Sequence, residues 1–280
     1  QPPPSRNHNI EIVATAARVL GHVSVVSIRI LEMRVAIVGS GTAGPAAALH
    51  LTRRLPQTTV SLFDKAKQPR AVGAGIGIQP IGLSALRKLE LLSTIKRHGA
   101  RVEGIKTTTR GGWPVLDVAY ERFDKRLFGL GLHRGVLFEA LHAQCEAAER
   151  VGCHFGVDIC DIEQTGDTVT VRSAEGKPFG PFDLLVIADG TASKLRPLLG
   201  IPSWFKQYSY GALFGLLPDE HRTFGRTLTQ VHDGPGCHTT LGFLPTGVPW
   251  GHGVDTLGDG VIDTLEDWAR QARRGRPRTR

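Results

Sequence analysis

The chain reads Met33-Arg-Val-Ala-Ile-Val-Gly39-Ser-Gly41-Thr-Ala-Gly44 where an apolar run meets a glycine-rich turn. Residues 33–38 predict a short buried strand, because a mostly apolar run of this length suits a parallel sheet. In a Gly-x-Gly-x-x-Gly turn, the first glycine permits a tight bend and the second lets a phosphate approach the backbone. The third lets the following helix pack closely. With Thr42 and Ala43 inside it, the turn is a candidate phosphate-binding site.

A helix is predicted to follow the turn and to end at about Leu55. Pro45 falls in its first turn, where a missing N–H costs little, and Pro56 stops it. Ala47, Leu51 and Leu55 recur at four-residue spacing and predict its apolar stripe. The helix therefore has the position and pattern of the crossover in a strand–helix–strand unit.

Val60–Phe63 predict the second strand of that unit, and Asp64 ends it, twenty residues beyond Gly44. A carboxylate at this spacing accepts hydrogen bonds from the ribose hydroxyls of a bound dinucleotide. An arginine would suit a 2′-phosphate, so the acid argues against NADP at this site. The combined pattern favours dinucleotide binding over the alternative of a purely structural turn.

The remaining chain up to about residue 200 alternates helical and strand-like patterns. Leu184–Ala188 is entirely apolar, which suits the centre of a parallel sheet. The predicted elements are a glycine-rich loop at 71–82, a helix carrying Leu83, Leu86 and Leu89, short strands within 102–128, an amphipathic helix at 135–150 with Leu137, Leu141 and Cys145 on one stripe, and strands at Val157–Ile162, Thr168–Arg172 and Leu184–Ala188.

After about residue 200, aromatic and threonine-rich runs are broken by glycine and proline, as in an antiparallel sheet. The runs are Tyr208–Leu217, Thr227–His232 and His238–Leu244. We therefore expect an N-terminal extension at 1–32, either upstream of the natural start or loosely ordered, a nucleotide-binding domain at 33–200 with inserted strands near 102–128, a partial β domain at 201–255 and an atypical basic tail at 256–280.

Composition and charge are those of an ordinary globular protein. The 280 residues carry a formal net charge of +8. Six arginines lie between residues 270 and 280, and without them 28 basic residues face 26 acidic ones. The body is therefore nearly neutral, the tail is expected to be a solvated terminus, and no nucleic-acid partner is predicted.

Neither a membrane span nor a metal site is predicted. No uninterrupted apolar stretch reaches 18 residues, the minimum for a membrane-spanning helix. The four cysteines, Cys145, Cys153, Cys160 and Cys237, form no Cys-x-x-Cys pair, and no zinc-type spacing is present. Unpaired cysteines favour a reducing, cytoplasmic location.

The segment Asp183-Leu-Leu-Val-Ile-Ala-Asp189-Gly190-Thr-Ala-Ser-Lys-Leu-Arg196 supplies a second motif. It resembles the Asp-Gly motif of the para-hydroxybenzoate hydroxylase-like family, the single-component flavoprotein monooxygenases. The likeness spans roughly residues 33–250 and includes the glycine turn, Asp64, Arg70 with the following glycine loop, and the Arg-x-x-Leu-x-x-x-Leu pattern that begins at Arg134. Glu90 stands where many members have glycine.

The resemblance implies an α/β fold: a Rossmann-like FAD-binding domain with a parallel central sheet, plus part of an antiparallel-sheet substrate domain. It also implies a set of cofactor-binding residues, whereas no catalytic residue is assigned. The set is Gly39, Gly41, Thr42, Ala43, Gly44, Asp64, Lys65, Arg70, Gly75, Arg134, Asp189, Gly190 and Arg196.

The function implied is that of an FAD-dependent monooxygenase. NADH or NADPH would be a transient co-substrate, and one oxygen atom from O₂ would enter an aromatic or similar small organic substrate. The family's later Gly-Asp motif is missing, since Gly258-Asp259 lacks the histidine and proline that should follow. The resemblance thus implies a chain shortened at its C-terminal end. Two alternatives stay open: a truncated, non-catalytic FAD-binding module, and another flavin- or NAD-dependent oxidoreductase.

Overall fold

The computed structural model describes residues 32–68, 70, 75–208, 211–217, 223–234 and 239–247. Within them the chain forms four helices and fourteen strands, together with two short 3₁₀ turns at Tyr120–Arg122 and Arg196–Leu199. In chain order the elements are β1 (Arg34–Val38), α1 (Ala43–Arg54), β2 (Thr59–Asp64), β3 (Gly75–Ile78), α2 (Pro80–Lys88), α3 (Leu92–His98), β4 (Ala100–Val102), β5 (Gly104–Thr109), β6 (Pro114–Ala119), β7 (Gly129–His133), α4 (Arg134–Ala147), β8 (Val151–Phe155), β9 (Ile159–Thr165), β10 (Thr168–Ser173), β11 (Pro178–Phe182), β12 (Leu184–Ile187), β13 (Thr227–Asp233) and β14 (Thr239–Phe243).

A four-stranded parallel sheet in the order β12-β1-β2-β8 confirms the predicted parallel core. The placement of Leu184–Ala188 at its centre is wrong. Within the described chain β12 pairs only with β1, and Leu184 is 38% exposed. The prediction failed because an apolar run indicates that a strand belongs to a parallel sheet, but it does not show which strands lie on either side. Strand β8, which the sequence did not predict, forms the opposite edge of the described sheet.

Helix α1 confirms the predicted start and end of the crossover helix, but its buried face differs. Ala48, Leu49 and Thr52 face the core, whereas Leu55 is exposed. Ala47 and Leu51 pack at the margin. The predicted stripe lay one position away because Thr52 can be buried: its hydroxyl donates to the Ala48 carbonyl, so it carries no unpaired polar group into the core.

The predicted loop at 71–82 is wrong over its described part. Gly75–Ile78 is a strand, β3, and α2 starts at Pro80. β3 pairs with β7 in a sheet of order β3-β7-β4. Glycines can take part in the hydrogen bonding of a sheet, and they are favoured where another segment packs closely over the strand. A side chain at Gly75 would lie 3.1 Å from Thr246.

The strands predicted near 102–128 and those after residue 200 form one mixed sheet, in the order β14-β13-β5-β6. β5–β6 and β13–β14 are antiparallel, but β13 runs parallel to β5. The described residues between 208 and 217 contain no strand, so that part of the prediction is wrong. Strands β11, β10 and β9 form an antiparallel sheet. The domain boundary near residue 200 stays a prediction.

Two clusters of buried side chains flank the parallel sheet. The larger includes Leu62, Leu132 and Leu141, and the smaller is centred on Phe63 and Leu195. No helix in the described ranges is long and apolar enough to cross a membrane. The N-terminal extension up to residue 31, the basic tail, Cys237 and the Gly258-Asp259 position lie outside the described residues.

Candidate functional site

A cleft of about 280 Å³ opens where three parallel strands, β12, β1 and β2, end. In open α/β sheets, ligands bind outside the carboxyl ends of the strands. The cleft is lined by Val38, Gly39, Gly41, Asp64, Lys65, Val157, Asp158, Ile159, Ala188, Asp189, Gly190, Ala192 and Lys194. The glycine turn and the Asp189-Gly190 turn therefore converge on one crevice, as the two motifs predict.

Close backbone packing fixes the glycine turn. Gly39 adopts a φ of +105°, and its N–H donates to the Phe63 carbonyl at 2.8 Å. A side chain on Gly44 would lie 1.9 Å from the Gly39 carbonyl oxygen. Only glycine allows α1 to start this close to β1, which is the role expected of the third glycine.

Gly41 and the start of α1 face open space. A side chain on Gly41 would meet no atom within 4 Å, and Gly41 lines the cleft. Thr42 caps α1 without a side-chain hydrogen bond, and the first turn, which begins at Ala43, holds no acidic residue. The partial positive charge and free N–H groups of this helix end are thus available to an anion.

Ser40 is buried between the first two glycines and is held from both sides. Its N–H donates to Asp64 Oδ2 at 2.6 Å. Its carbonyl oxygen lies 2.8 Å from Nε2 of His142, and its hydroxyl lies 3.2 Å from the same nitrogen. Asp64 also accepts the Ala66 N–H at 2.8 Å through Oδ1. Each carboxylate oxygen thus orders the backbone and keeps lone-pair capacity for a ribose hydroxyl.

The Asp189-Gly190 turn follows β12 after one residue, Ala188. Gly190 adopts a φ of +87°, and Asp189 lines the cleft. Arg196 does not line it. Its guanidinium donates to the carbonyls of Gly190 at 3.0 Å and Thr191 at 3.2 Å. In this structure the Arg196 side chain therefore stabilises the backbone of the turn.

Three lining residues between the end of β8 and the start of β9 were predicted only as part of a strand and not as site residues: Val157, Asp158 and Ile159. Asp158 forms an ion pair with Lys194 of the Asp-Gly motif, with Nζ 3.3 Å from Oδ2. This contact joins two walls of the cleft. The available signal was β8 itself, because a fourth parallel strand brings its carboxyl end to the same edge of the sheet.

The other predicted cofactor residues lie outside the cleft lining. Arg70 is exposed. Gly75 starts β3 and pairs with His133, the residue before Arg134. Arg134 opens α4 and is exposed, while His133 caps that helix by accepting the Gly135 N–H at 3.1 Å. Gly75 and Arg134 are thus brought together in the β3-β7-β4 region, and their roles toward a cofactor stay predictions.

The cleft fits the pyrophosphate and ribose of a dinucleotide. It combines the start of α1, which has no side-chain cap hydrogen bond, the backbone of Gly41 and the two lysines Lys65 and Lys194. Its carboxylates are suited to hydroxyl groups. Of those carboxylates, Asp158 is paired with Lys194 and Asp64 is held by two backbone N–H groups. The lining therefore holds two lysines and three carboxylates, the third being Asp189.

The family to which the chain belongs indicates which dinucleotide the cleft binds. Residues 32–236 match the family described as the FAD binding domain. The chain belongs to this FAD-binding family of para-hydroxybenzoate hydroxylase-like flavoprotein monooxygenases. The resemblance read from the two motifs is confirmed, and so is FAD as the cofactor for which this domain is built.

Relatives of this FAD-binding domain include two named aromatic hydroxylases. It is 29% identical over 217 residues to 3-amino-4-hydroxybenzoate 2-monooxygenase of Streptomyces cremeus, covering 75% of this chain and 53% of that protein. It is 29% identical over 214 residues to 3-hydroxybenzoate 6-hydroxylase of Klebsiella oxytoca, covering 74% and 52%. The chain thus spans about half the length of these relatives.

The FAD-binding domain also has the fold of solved flavoproteins. A variant of HpxO from Klebsiella pneumoniae, solved in complex with FAD, superposes with a TM-score of 0.59 and 22% identity, over 79% of this chain and 58% of that one. The likeness supports the parallel sheet with its accompanying antiparallel sheets.

Proposed function

We propose that this protein acts as an FAD-dependent monooxygenase that uses NADH or NADPH and O₂ to place one oxygen atom on an aromatic or similar small organic substrate. The observation that carries the proposal is the convergence of the glycine turn and the Asp189-Gly190 turn on one cleft. The names of the Streptomyces and Klebsiella relatives support the substrate class and reaction.

The roles of the cleft residues follow from their geometry. The Gly41 backbone and the start of α1 would bind the pyrophosphate. Asp64 would accept hydrogen bonds from ribose hydroxyls. Asp189 and Gly190 would contact the cofactor from the β12 side of the cleft. Bound FAD would supply the redox and oxygen-transfer chemistry, whereas the protein contributes binding, orientation and exclusion of water.

The first test is direct binding of FAD to the purified chain. We expect the folded protein to carry, or to acquire on adding FAD, the visible absorbance of a bound flavin. A folded but colourless protein that ignores FAD and binds NAD would reject the assignment in favour of another nucleotide-dependent enzyme.

Gly41 allows a sharper test of where FAD binds. Gly41→Val places a side chain in the cleft that FAD would occupy, so we expect FAD affinity to fall at least tenfold. Because that side chain meets no atom of the protein, we expect the melting temperature to be unchanged. Gly211→Val is the matched control, because a side chain there also meets nothing within 4 Å and Gly211 lies outside the cleft lining. Equal FAD affinity in both variants would contradict the placement.

Turnover is tested separately. We expect NADH or NADPH oxidation to be stimulated by a hydroxybenzoate, with a hydroxylated product in step with O₂ consumed. Flavin reduction without any product across a series of phenolic acids would instead favour a non-catalytic FAD-binding module.

A cytoplasmic setting is part of the same proposal. Cys145, Cys153 and Cys160 are free thiols, as expected where thiols stay reduced. Cell fractionation checks it, and recovery of the protein outside the cytoplasmic fraction would reject it.

A further inference from the structure

His142 is a buried polar side chain beside the glycine turn whose hydrogen bonding is only half used. It lies on α4 with 5% of its surface exposed, and its ring centroid is 4.2 Å from that of Phe138. Among the described residues, Nδ1 has no hydrogen-bond partner. Burying an unpaired acceptor costs stability, and a leucine would fill this place without that cost. The contact made by Nε2 is therefore the feature that needs a reason.

That contact fixes the direction of a peptide plane. Nε2 lies 2.8 Å from the Ser40 carbonyl oxygen, and because a carbonyl only accepts, Nε2 carries the proton and donates it. In a planar trans peptide, the Ser40 C=O and the Gly41 N–H point in opposite directions. Holding the carbonyl toward α4 therefore turns the Gly41 N–H away from α4, on the side of the cleft that Gly41 lines.

The preceding peptide is held by a different side chain. The Ser40 N–H donates to Asp64 Oδ2 at 2.6 Å, so two successive peptide planes of the turn are anchored, one to β2 and one to α4. The Gly41 N–H is not used inside the described part of the protein. It is a donor fixed in place before any ligand arrives, and such preorganised donors bind anions without first paying to order the backbone.

We propose that His142 is a positioning residue for the pyrophosphate of FAD, acting through the Ser40 carbonyl to aim the Gly41 N–H into the cleft. The proposal rests on the proposed FAD site and deepens it. His142 touches no ligand itself, so its removal should weaken ligands that carry a pyrophosphate and spare those that lack one.

Two substitutions separate the hydrogen bond from the packing. His142→Leu keeps an apolar side chain in the pocket but removes the donor. His142→Gln can place an amide N–H where Nε2 stood. We expect His142→Leu to bind FAD and ADP about tenfold more weakly, the usual effect of losing one well-placed hydrogen bond. The Gln variant should recover most of that affinity, and adenosine binding should be the same in all three proteins.

Titration calorimetry and the melting temperature of the FAD-free protein provide the readouts. A merely structural role would lower the melting temperature and weaken adenosine and ADP alike, and that result overturns the proposal. Unchanged FAD affinity in a folded His142→Leu variant overturns it too, but leaves the FAD site standing. A wild-type protein that binds neither FAD nor ADP removes both.

A measurement on the unaltered protein covers the case in which the leucine variant does not fold. In ¹⁵N-glycine-labelled wild-type protein, we expect the Gly41 amide resonance to move downfield when ADP is added and to stay in place with adenosine. A Gly41 resonance that ignores saturating ADP overturns the proposal.

Discussion

Glu90 is a residue whose backbone conformation conflicts with its type. It adopts a φ of +56° between two buried leucines, Leu89 and Leu91. The left-handed conformation suits glycine, which many members of the family have at this position. Its carboxylate lies 3.6 Å from Arg53, but 84% of the side chain is exposed, and such exposed pairs contribute little.

Replacing Glu90 should therefore stabilise the protein. We expect Glu90→Gly to raise the free energy of unfolding by about 0.5–1 kcal/mol, because relief of the left-handed strain outweighs the extra chain entropy of glycine. Urea unfolding measures the change. Glu90→Ala is the control, since it loses the same ion pair but keeps the side-chain carbon. If both variants lose stability equally, the ion pair and not the backbone decides.

At the scale of elements, α4 links the glycine turn to the core. Its stripe of Leu137, Leu141 and Cys145 is buried as the sequence predicts, and the helix packs on α1. His142 lies next to this stripe, so the anchor on Ser40 depends on how firmly α4 is held.

Removing a buried side chain from the apolar stripe of α4 should destabilise the whole domain. Leu141 is 2% exposed, and we expect Leu141→Ala to lower the free energy of unfolding by about 2–5 kcal/mol, the cost of a cavity in a packed core. Leu116→Ala on β6 is the comparison, because Leu116 is 44% exposed and should change stability by less than about 1 kcal/mol. A loss at Leu141 as small as the loss at Leu116 would show that α4 is not part of the cooperative core.

For the whole molecule, burial of Cys145 makes stability depend on alkaline pH. Burial raises the pKa of this thiol to about 12 from an ordinary value of 9.0, with Cys153 and Glu146 adding to the rise. The folded protein therefore holds a proton that the unfolded chain releases above about pH 9. The stabilising contribution is complete below that pH and is lost as the pH rises toward 12.

We expect the free energy of unfolding to fall between about pH 9 and pH 11, with a slope from this group of up to roughly 1.4 kcal/mol per pH unit. Cys145→Val should flatten that slope, whereas Cys160→Val, at an exposed thiol, should leave it unchanged. Urea unfolding across the pH range provides the measurement. An unchanged slope in Cys145→Val would assign the alkaline loss to other groups.

The sequence alone determined the strand–turn–helix–strand unit, the carboxylate after β2 and the Asp-Gly turn after β12. Each is encoded locally, by apolar periodicity, by the spacing of the acid from the glycine turn and by glycines such as Gly39 and Gly44, where a side chain would clash with the backbone. Because neighbouring parallel strands end at one edge of their sheet, two such motifs were enough to predict a shared crevice.

Only the tertiary structure decided what joins this crevice from afar. β8 as the fourth strand, the Asp158–Lys194 pair, the hold of His142 on Ser40 across 102 residues, and the sheet that unites β5 with β13 are pairings between distant segments. Each side chain had a plausible local role, and a local pattern carries no record of its partner. The choice among partners is made only when distant segments pack against one another and bring their strands and polar side chains within bonding distance.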